Sequence, residues 1–360
     1  MLTGDRNHRD KQGGRGTVTG HPLQPTGRTT RPRYERGWRG NEPRRPRKHG
    51  VSTCVGLVLA ALSVPIAVRG MDEDGPTPIA QLLAFLPWFL VPGWLALLYA
   101  VLARRGFLAV WAIAVLMATV GFTLPEGPDA PEGAAERTGK ARFRVLTANV
   151  RFGDATEDLV KTLRRERPQI VSVQECESRC AEALRSAPMR EAYPYRHIID
   201  GEGASGSALL SVYPLEDETS VPGRLAMPGA TADVSGEPVR VQVAHPMPPR
   251  PDALRSWREE LGRLRAYSTS RDGTPTVIAG DFNASQDHAA FRDLLHTGLN
   301  DAARLTGQSR TPTWPNNKAR PMGAQIDHVL VSDPLTAVEA RFLELAGSDH
   351  LAVLADVKLF

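Results

Sequence analysis

Along the second half of the chain, one apolar run after another begins or ends on an oxygen or nitrogen donor. Asn149 closes "FRVLTANV", Glu175 closes "QIVSVQE", and His245 closes "VRVQVAH". Asp281 and Asn283 follow the run "TVIAGDF", Asp327 opens "IDHVLVS", and Ser348, Asp349 and His350 precede "LAVLADVKL". Carboxylate and amide oxygens suit hard cations such as Mg²⁺, which take one or two protein carboxylates together with water and substrate phosphate. Imidazole beside carboxylate moves protons. That combination is what phosphoester hydrolysis needs: an activated water, neutralised charge and a protonated leaving group. A thiolate or multi-histidine zinc cage is absent, since the three cysteines are Cys54, Cys176 and Cys180. One glutamate after a strand is ordinarily surface and one histidine ordinarily packing. The ordered series carries the argument.

The elements that must position these groups read as alternating strands and helices. Strands are predicted at 143–150, 169–175, 207–213, 239–245, 276–282, 326–332 and 351–359, each a short run rich in β-branched residues. A helix is predicted over 154–168, opened by a capping residue and stopped at Pro168. A second spans 250–270, where Leu254, Trp257, Leu261 and Leu264 recur at helical spacing as a core stripe. A third covers 288–299. The mixture indicates a layered α/β domain over residues 141–360.

In their order and separation, "GDFN", "SDH" and the strand ending in "QE" resemble the endonuclease/exonuclease/phosphatase superfamily, the group of DNase I-like nucleases, neutral sphingomyelinases and inositol-polyphosphate 5-phosphatases. The resemblance covers nearly all of 141–360. It implies a four-layer α/β sandwich with a divalent-metal site at one rim, holding Mg²⁺ or alternatively Mn²⁺. It further implies Glu175 as main metal ligand with Asn149, and Asp349 as a further ligand or as a group orienting His350. By the same resemblance Asp281 orients or deprotonates the water, with His350 as partner base or phosphate contact. Asn283 and His245 hold phosphate oxygens, His245 could protonate the leaving group, and Asp327 fixes an imidazole tautomer. Val212 stands where the family often has arginine, which leaves one phosphate contact in question. His328 reads as a packed strand residue, "TPTWP" with Trp314 as a substrate-side loop, and "HPMPPRP" as a rim shaped by proline.

The first third of the chain is of a different kind. Residues 1–50 carry 13 Lys/Arg against 4 Asp/Glu with no apolar periodicity, and read as a disordered basic tail or, alternatively, a nucleic-acid-binding arm. Residues 141–360 carry 26 Lys/Arg against 29 Asp/Glu, so the basic excess belongs to the head. Three apolar runs, 51–68, 79–103 and 106–124, are each near the roughly 20 residues needed to cross a bilayer. They predict a three-helix transmembrane anchor, and no cleaved leader would explain runs two and three. Arginines 104 and 105 on one side and the acidic "RGMDEDGPTP" on the other place the N-terminus in the cytoplasm and the catalytic domain outside. Residues 125–140 read as a flexible linker that keeps the domain near lipid. Cys176 and Cys180 either pair in that oxidising exterior or remain free thiols.

The layout of a short anchor and an outward-facing phosphoesterase is similar to VanJ-type proteins linked to teicoplanin resistance. That similarity implies a polyprenyl pyrophosphate substrate at the cell membrane. An anchored nuclease and a sphingomyelinase-like phosphodiesterase are the alternatives. The acidic balance of 141–360 weighs against the nuclease, because phosphate backbones are held by basic grooves. The site residues weigh against a binding module without turnover.

Overall fold

The computed structural model describes residues 49–124, 127, 130–270, 272–317 and 322–360. The predicted basic tail lies outside the described residues, except for its last two positions, which begin the first helix. The described residues form one compact unit.

Its larger part is two six-stranded sheets face to face. The first has the order β11-β12-β1-β2-β4-β3, built from β1 (Ala141–Asn149), β2 (Ile170–Gln174), β3 (Tyr195–Ile199), β4 (Ser207–Ser211), β11 (Leu335–Glu344) and β12 (Leu351–Leu359). The second has the order β5-β6-β7-β8-β10-β9, built from β5 (Leu215–Ser220), β6 (Pro228–Val234), β7 (Glu237–Ala244), β8 (Thr276–Asp281), β9 (Leu299–Asp301) and β10 (Asp327–Ser332). Side chains alternate across each strand, so Phe143 and Val145 join Val241, Val243 and Val277 between the sheets. Leu146 and Ala148 point outward, under α5 (Thr156–Glu166), α6 (Ser178–Leu184) and α7 (Ala187–Ala192). The second sheet's outer face is covered by α8 (Leu254–Thr269) and α9 (Ala289–Leu295). In α8 the fully buried Trp257, Leu261 and Leu264 are the predicted stripe. A short α10 (Ala302–Leu305) follows β9.

The two sheets repeat one local plan. β1 pairs parallel with β2 and β7 parallel with β8, while β12 and β10 run antiparallel to β1 and β8. The C-terminal ends of the parallel strands therefore meet the N-terminal ends of β10 and β12 at one rim. In register, Asn149 lies opposite Gln174 and Asp327 opposite Asp281. Gly280 is required here, since a Cβ on it would stand 1.9 Å from the carbonyl oxygen of Ala244 in the neighbouring strand.

The rest of the unit is helical. α1 (His49–Gly70) and α4 (Gly106–Thr123) are long and apolar enough to cross a membrane. The second apolar run is not one continuous helix, as the sequence led us to expect. It breaks into α2 (Ile79–Leu83), a 3₁₀ turn at Leu86–Phe89 and α3 (Leu90–Leu102). Pro87 supplies the reason: it sits in the first turn of the new helical segment, where its missing N–H costs nothing, and prevents α2 from running on. The helices pack on one another through Leu59, Leu62, Leu86, Phe89, Ala112 and Val115. Of the large apolar side chains exposed among the described residues, all but Phe152, Tyr195, Val212 and Met322 lie on this bundle and its turns.

Two further observations concern connections, one a departure from the expected linker and one a choice between open alternatives. Residues 130–140, expected as flexible linker, are held against the domain: Lys358 Nζ donates to the carbonyls of Ala134 (3.2 Å), Ala135 and Arg137 (3.0 Å), and Lys140 N donates to Leu359 O (2.7 Å). Cys176 and Cys180 are disulfide-bonded, with Cα atoms 5.1 Å apart. The pair escapes the poor geometry of an i,i+4 bridge on a helix because Cys176 precedes the start of α6 at Ser178.

Candidate active site

The rim where the strand ends meet carries the predicted groups. Glu175 follows β2 with φ 55° and Asn283 follows β8 with φ 49°. Backbone in this region is strained for residues with a Cβ and is held where the surroundings over-determine it. At Asn283 the surroundings are visible: its N–H donates to Asp281 Oδ1 (2.8 Å), its Nδ2 to Pro246 O (3.0 Å), and its carbonyl accepts from buried Trp257 Nε1 (3.2 Å). The Cys176–Cys180 bond braces the residue next to Glu175 in the same way.

Asn149 spans the seam between the sheets. Its Nδ2 donates to Glu175 Oε1 and to Asp281 Oδ2, each at 3.1 Å, and its Oδ1 accepts from Arg151 N (2.9 Å). Ser348 stitches the last strand to the first: its Oγ donates to Asn149 O (2.7 Å) and accepts from His350 N (2.9 Å). His350 is then placed with Nδ1 2.9 Å from Asp327 Oδ2 and Nε2 3.9 Å from Asp281 Oδ2. Asp327 is positioned in turn by Thr313 Oγ1, which accepts from its N–H at 3.1 Å.

Burial sets the electrostatics. Burial and then the Asp327 carboxylate push Asp281 up to about 7, although His350 acts against them. For His350, burial alone would lower the pKa; Asp327 and then Asp281 outweigh it and push it up to about 10. His245 has no compensating carboxylate, so burial and the neighbouring His350 push it down to about 3. Titratable groups pushed apart in this manner assign acid and base. The two carboxylates beside His350 favour its protonated form, Asp281 is shifted toward accepting a proton, and His245 is shifted toward neutral imidazole.

The donor set fits a hard cation. Asp281, Asp327 and His350 bring side-chain oxygen and nitrogen atoms within 4.8 Å of one another, all from buried side chains; of these the two carboxylates suit a cation, since a protonated imidazole offers no lone pair. Asp327 Oδ1 is buried without a hydrogen-bond partner. The amide nitrogen of Asn149 lies between the carboxylates of Glu175 and Asp281, a point where positive charge is favoured. Asp349 lines the same cleft but stands outside the three-group cluster. Its Oδ2 accepts from Trp314 Nε1 (3.2 Å), and its Oδ1 is 3.9 Å from Arg151 Nε, so it ties the Trp314 loop to the rim. His328 is a packed strand residue as read from the sequence, with Nδ1 2.7 Å from Asp301 Oδ2 and Nε2 3.0 Å from Ala284 O.

A cleft of about 670 Å³ opens over these groups, with Glu175, His245, Asp281, Asn283 and His350 in its lining. Trp314 and Pro248 flank it, as expected of their loops. Val212 is not in the lining; Arg151, Arg224 and Arg250 are, and sequence reasoning singled out none of them. Nor did it foresee Gln81, Ala84 and Phe85, which line the cleft from the turn between α1 and α3. No local pattern marks those residues, because their role depends on contacts some 200 positions away.

The fold is similar to that of D. rerio TDP2 solved with a single-strand DNA product, at a TM-score of 0.53 and 15% identity, covering 61% of this chain and 100% of that one. It is also similar to TDP2 from Caenorhabditis elegans, at a TM-score of 0.51 and 15% identity, covering 72% of this chain and 83% of that one. At such identity the likeness concerns the fold. No curated protein matches the chain. The model of the Endonuclease/Exonuclease/phosphatase family matches residues 146–350, from the strand bearing Asn149 to His350. The chain therefore belongs to that family of phosphoester hydrolases.

Proposed function

We propose that this protein is a membrane-anchored, extracytoplasmic hydrolase that removes phosphate from a lipid-linked phosphate or pyrophosphate, with polyprenyl pyrophosphate as the substrate class. One observation carries the reading: the cleft over the acidic cluster is lined on one side by catalytic groups and on the other by residues of an apolar helical bundle whose outer surface is exposed. Such a belt of exposed apolar side chains is matched by hydrocarbon. The similarity of layout to VanJ-type proteins points the same way.

In this reading a divalent cation, Mg²⁺ or Mn²⁺, would be held by Glu175 with Asn149 and would supply charge neutralisation for the phosphate. The chain's own groups do the rest. Asp281 accepts the proton of the attacking water, and Asp327 fixes the ring of His350 so that its protonated edge faces the phosphate. His245 and Asn283 donate to phosphate oxygens as charge builds. Arg151, Arg224 and Arg250 at the cleft suit a substrate with more than one anionic group.

The same arginines, and the fold shared with a protein solved with DNA product, favour an anchored nuclease as the second reading. The full-length protein is to be assayed with Mg²⁺ or Mn²⁺ against polyprenyl pyrophosphate, sphingomyelin, phosphoinositides and DNA side by side. Turnover of polyprenyl pyrophosphate is expected, abolished by chelation and restored by the metal. Asp281→Ala and His350→Ala should each lose at least about a hundredfold in kcat, since positioned acid–base groups contribute roughly 10²–10⁴. Turnover of DNA alone reverses the order of the two readings.

A further inference from the structure

We infer that the turn between α1 and α3 is part of the substrate-binding site, with Phe85 forming the wall that receives the apolar chain next to the phosphate. The inference rests on the lipid-phosphate reading above and names the residues that would give it selectivity. Three observations support it.

The first is position. Gln81, Ala84 and Phe85 line the same cleft as Asp281 and His350. Phe85 faces Trp314 with ring centroids 6.4 Å apart, and Trp314 is tied through Asp349 to the catalytic rim. Two aromatic faces thus stand beside the place where a phosphate meets the acidic cluster.

The second is rigidity. The turn is clamped on the domain by contacts on both sides of Phe85. Asp74 accepts from the N–H groups of Ala289 (2.7 Å) and Ala290 (3.3 Å), and His288 Nε2 lies 2.7 Å from Ala80 O. Arg292 pairs with Asp72, Arg258 donates to Gly75 O, and Trp88 Nε1 donates to Gly323 O at 3.4 Å. A wall held this way is pre-organised, which lowers the ordering cost of binding.

The third is continuity. Phe85 leads directly into the 3₁₀ turn and α3, whose Val91, Trp94, Leu95 and Leu98 are exposed. A chain leaving the phosphate along Phe85 passes from the cleft to the surface that faces hydrocarbon. A nucleic-acid strand following that path would run against the bundle.

The test uses the full-length protein in phospholipid nanodiscs with Mn²⁺ and two probes that differ in chain length, dimethylallyl diphosphate and farnesyl diphosphate. The wild type should favour the longer probe in kcat/KM. Phe85→Ala should lower that preference about tenfold or more, mainly through KM, since a few apolar contacts are worth factors of 10 to 200. Phe85→Leu should restore most of it, and Leu102→Ala, exposed at the far end of α3, should leave it unchanged. A chain-length preference that survives Phe85→Ala overturns the inference while leaving the lipid-phosphate reading intact. Hydrolysis of a DNA oligonucleotide with neither diphosphate turned over overturns both.

Discussion

His328 shows how one position was both legible and incomplete in the sequence. Its packing role was readable from a strand context; its charge was not, because Asp301 lies 27 positions away on β9. Both ring nitrogens are occupied and the ring sits between Phe282 and Phe291. Burial would lower its pKa, but Asp301, through charge and hydrogen bond, raises it above the ordinary 6.5. A raised pKa means that its contribution to stability is complete below about pH 6.5 and is lost as pH rises through the folded value. Thermal melts across pH should show this alkaline decline, and Asp301→Asn should flatten the part due to this pair; identical pH profiles for the two proteins would refute it. The site residues were legible for a plainer reason. Each sits at a strand end, and parallel pairing gathers such ends at one rim. Asp349 lines the same cleft and adds to the charge around His350, but its contacts with Trp314 and Arg151 were not legible, because adjacency in sequence does not fix which way a side chain turns in a loop.

At the scale of elements, most strands that bury both faces were readable, whereas the edge strands and the interior β6, "PGATADV" with its proline, glycine and small residues, were not. β8, β10 and β12 are almost wholly buried and read as unbroken apolar runs. β5, "LEDETS", is an exposed sheet edge whose charges discourage pairing with other chains, and it looks like loop. The second apolar run looked like one span because composition reports hydrophobicity, not where a helix stops. Asp74 is the element-level contact with the clearest consequence. It closes the start of α9 from outside that helix, so Asp74→Ala should cost about 0.5–2 kcal/mol, as loss of a capping acid does. That corresponds to a fall in Tm of a few degrees, roughly 2–4 °C per kcal/mol for a domain of this size. Asp74→Asn should cost less. An unchanged Tm for Asp74→Ala would show that these hydrogen bonds are replaced by water without loss.

For the whole molecule, charge and helix direction support one orientation. Ser52 Oγ lies 2.9 Å from Tyr99 OH, which brings the start of α1 beside the end of α3. Exposed Arg104 and Arg105 follow at that end, whereas acidic Asp72 and Asp74 sit at the other end, against the catalytic domain. In the orientation we propose, the basic end is cytoplasmic and the domain faces outward, where a disulfide persists. In a Cys54→Ala background, cysteine at Glu218, on the exposed edge strand, should react with a membrane-impermeant maleimide in intact cells. Cysteine at Arg105 should react only after permeabilisation. The opposite pattern would invert the topology.

Asp287 is fully buried four residues beyond Asn283, gripped by both terminal nitrogens of Arg310 at 2.5 and 2.9 Å. The same guanidinium donates to the carbonyls of Phe122 (2.8 Å) and Thr123 (3.0 Å) at the end of α4, and Arg69 of α1 stands 4.0 Å from Asp287. The loop that shapes the reaction centre is thus riveted to the feet of two helices. For the membrane-anchored protein we propose, solubilising is then no neutral preparative step: a detergent harsh enough to splay the bundle would loosen that rivet, and activity would track the integrity of the apolar helices.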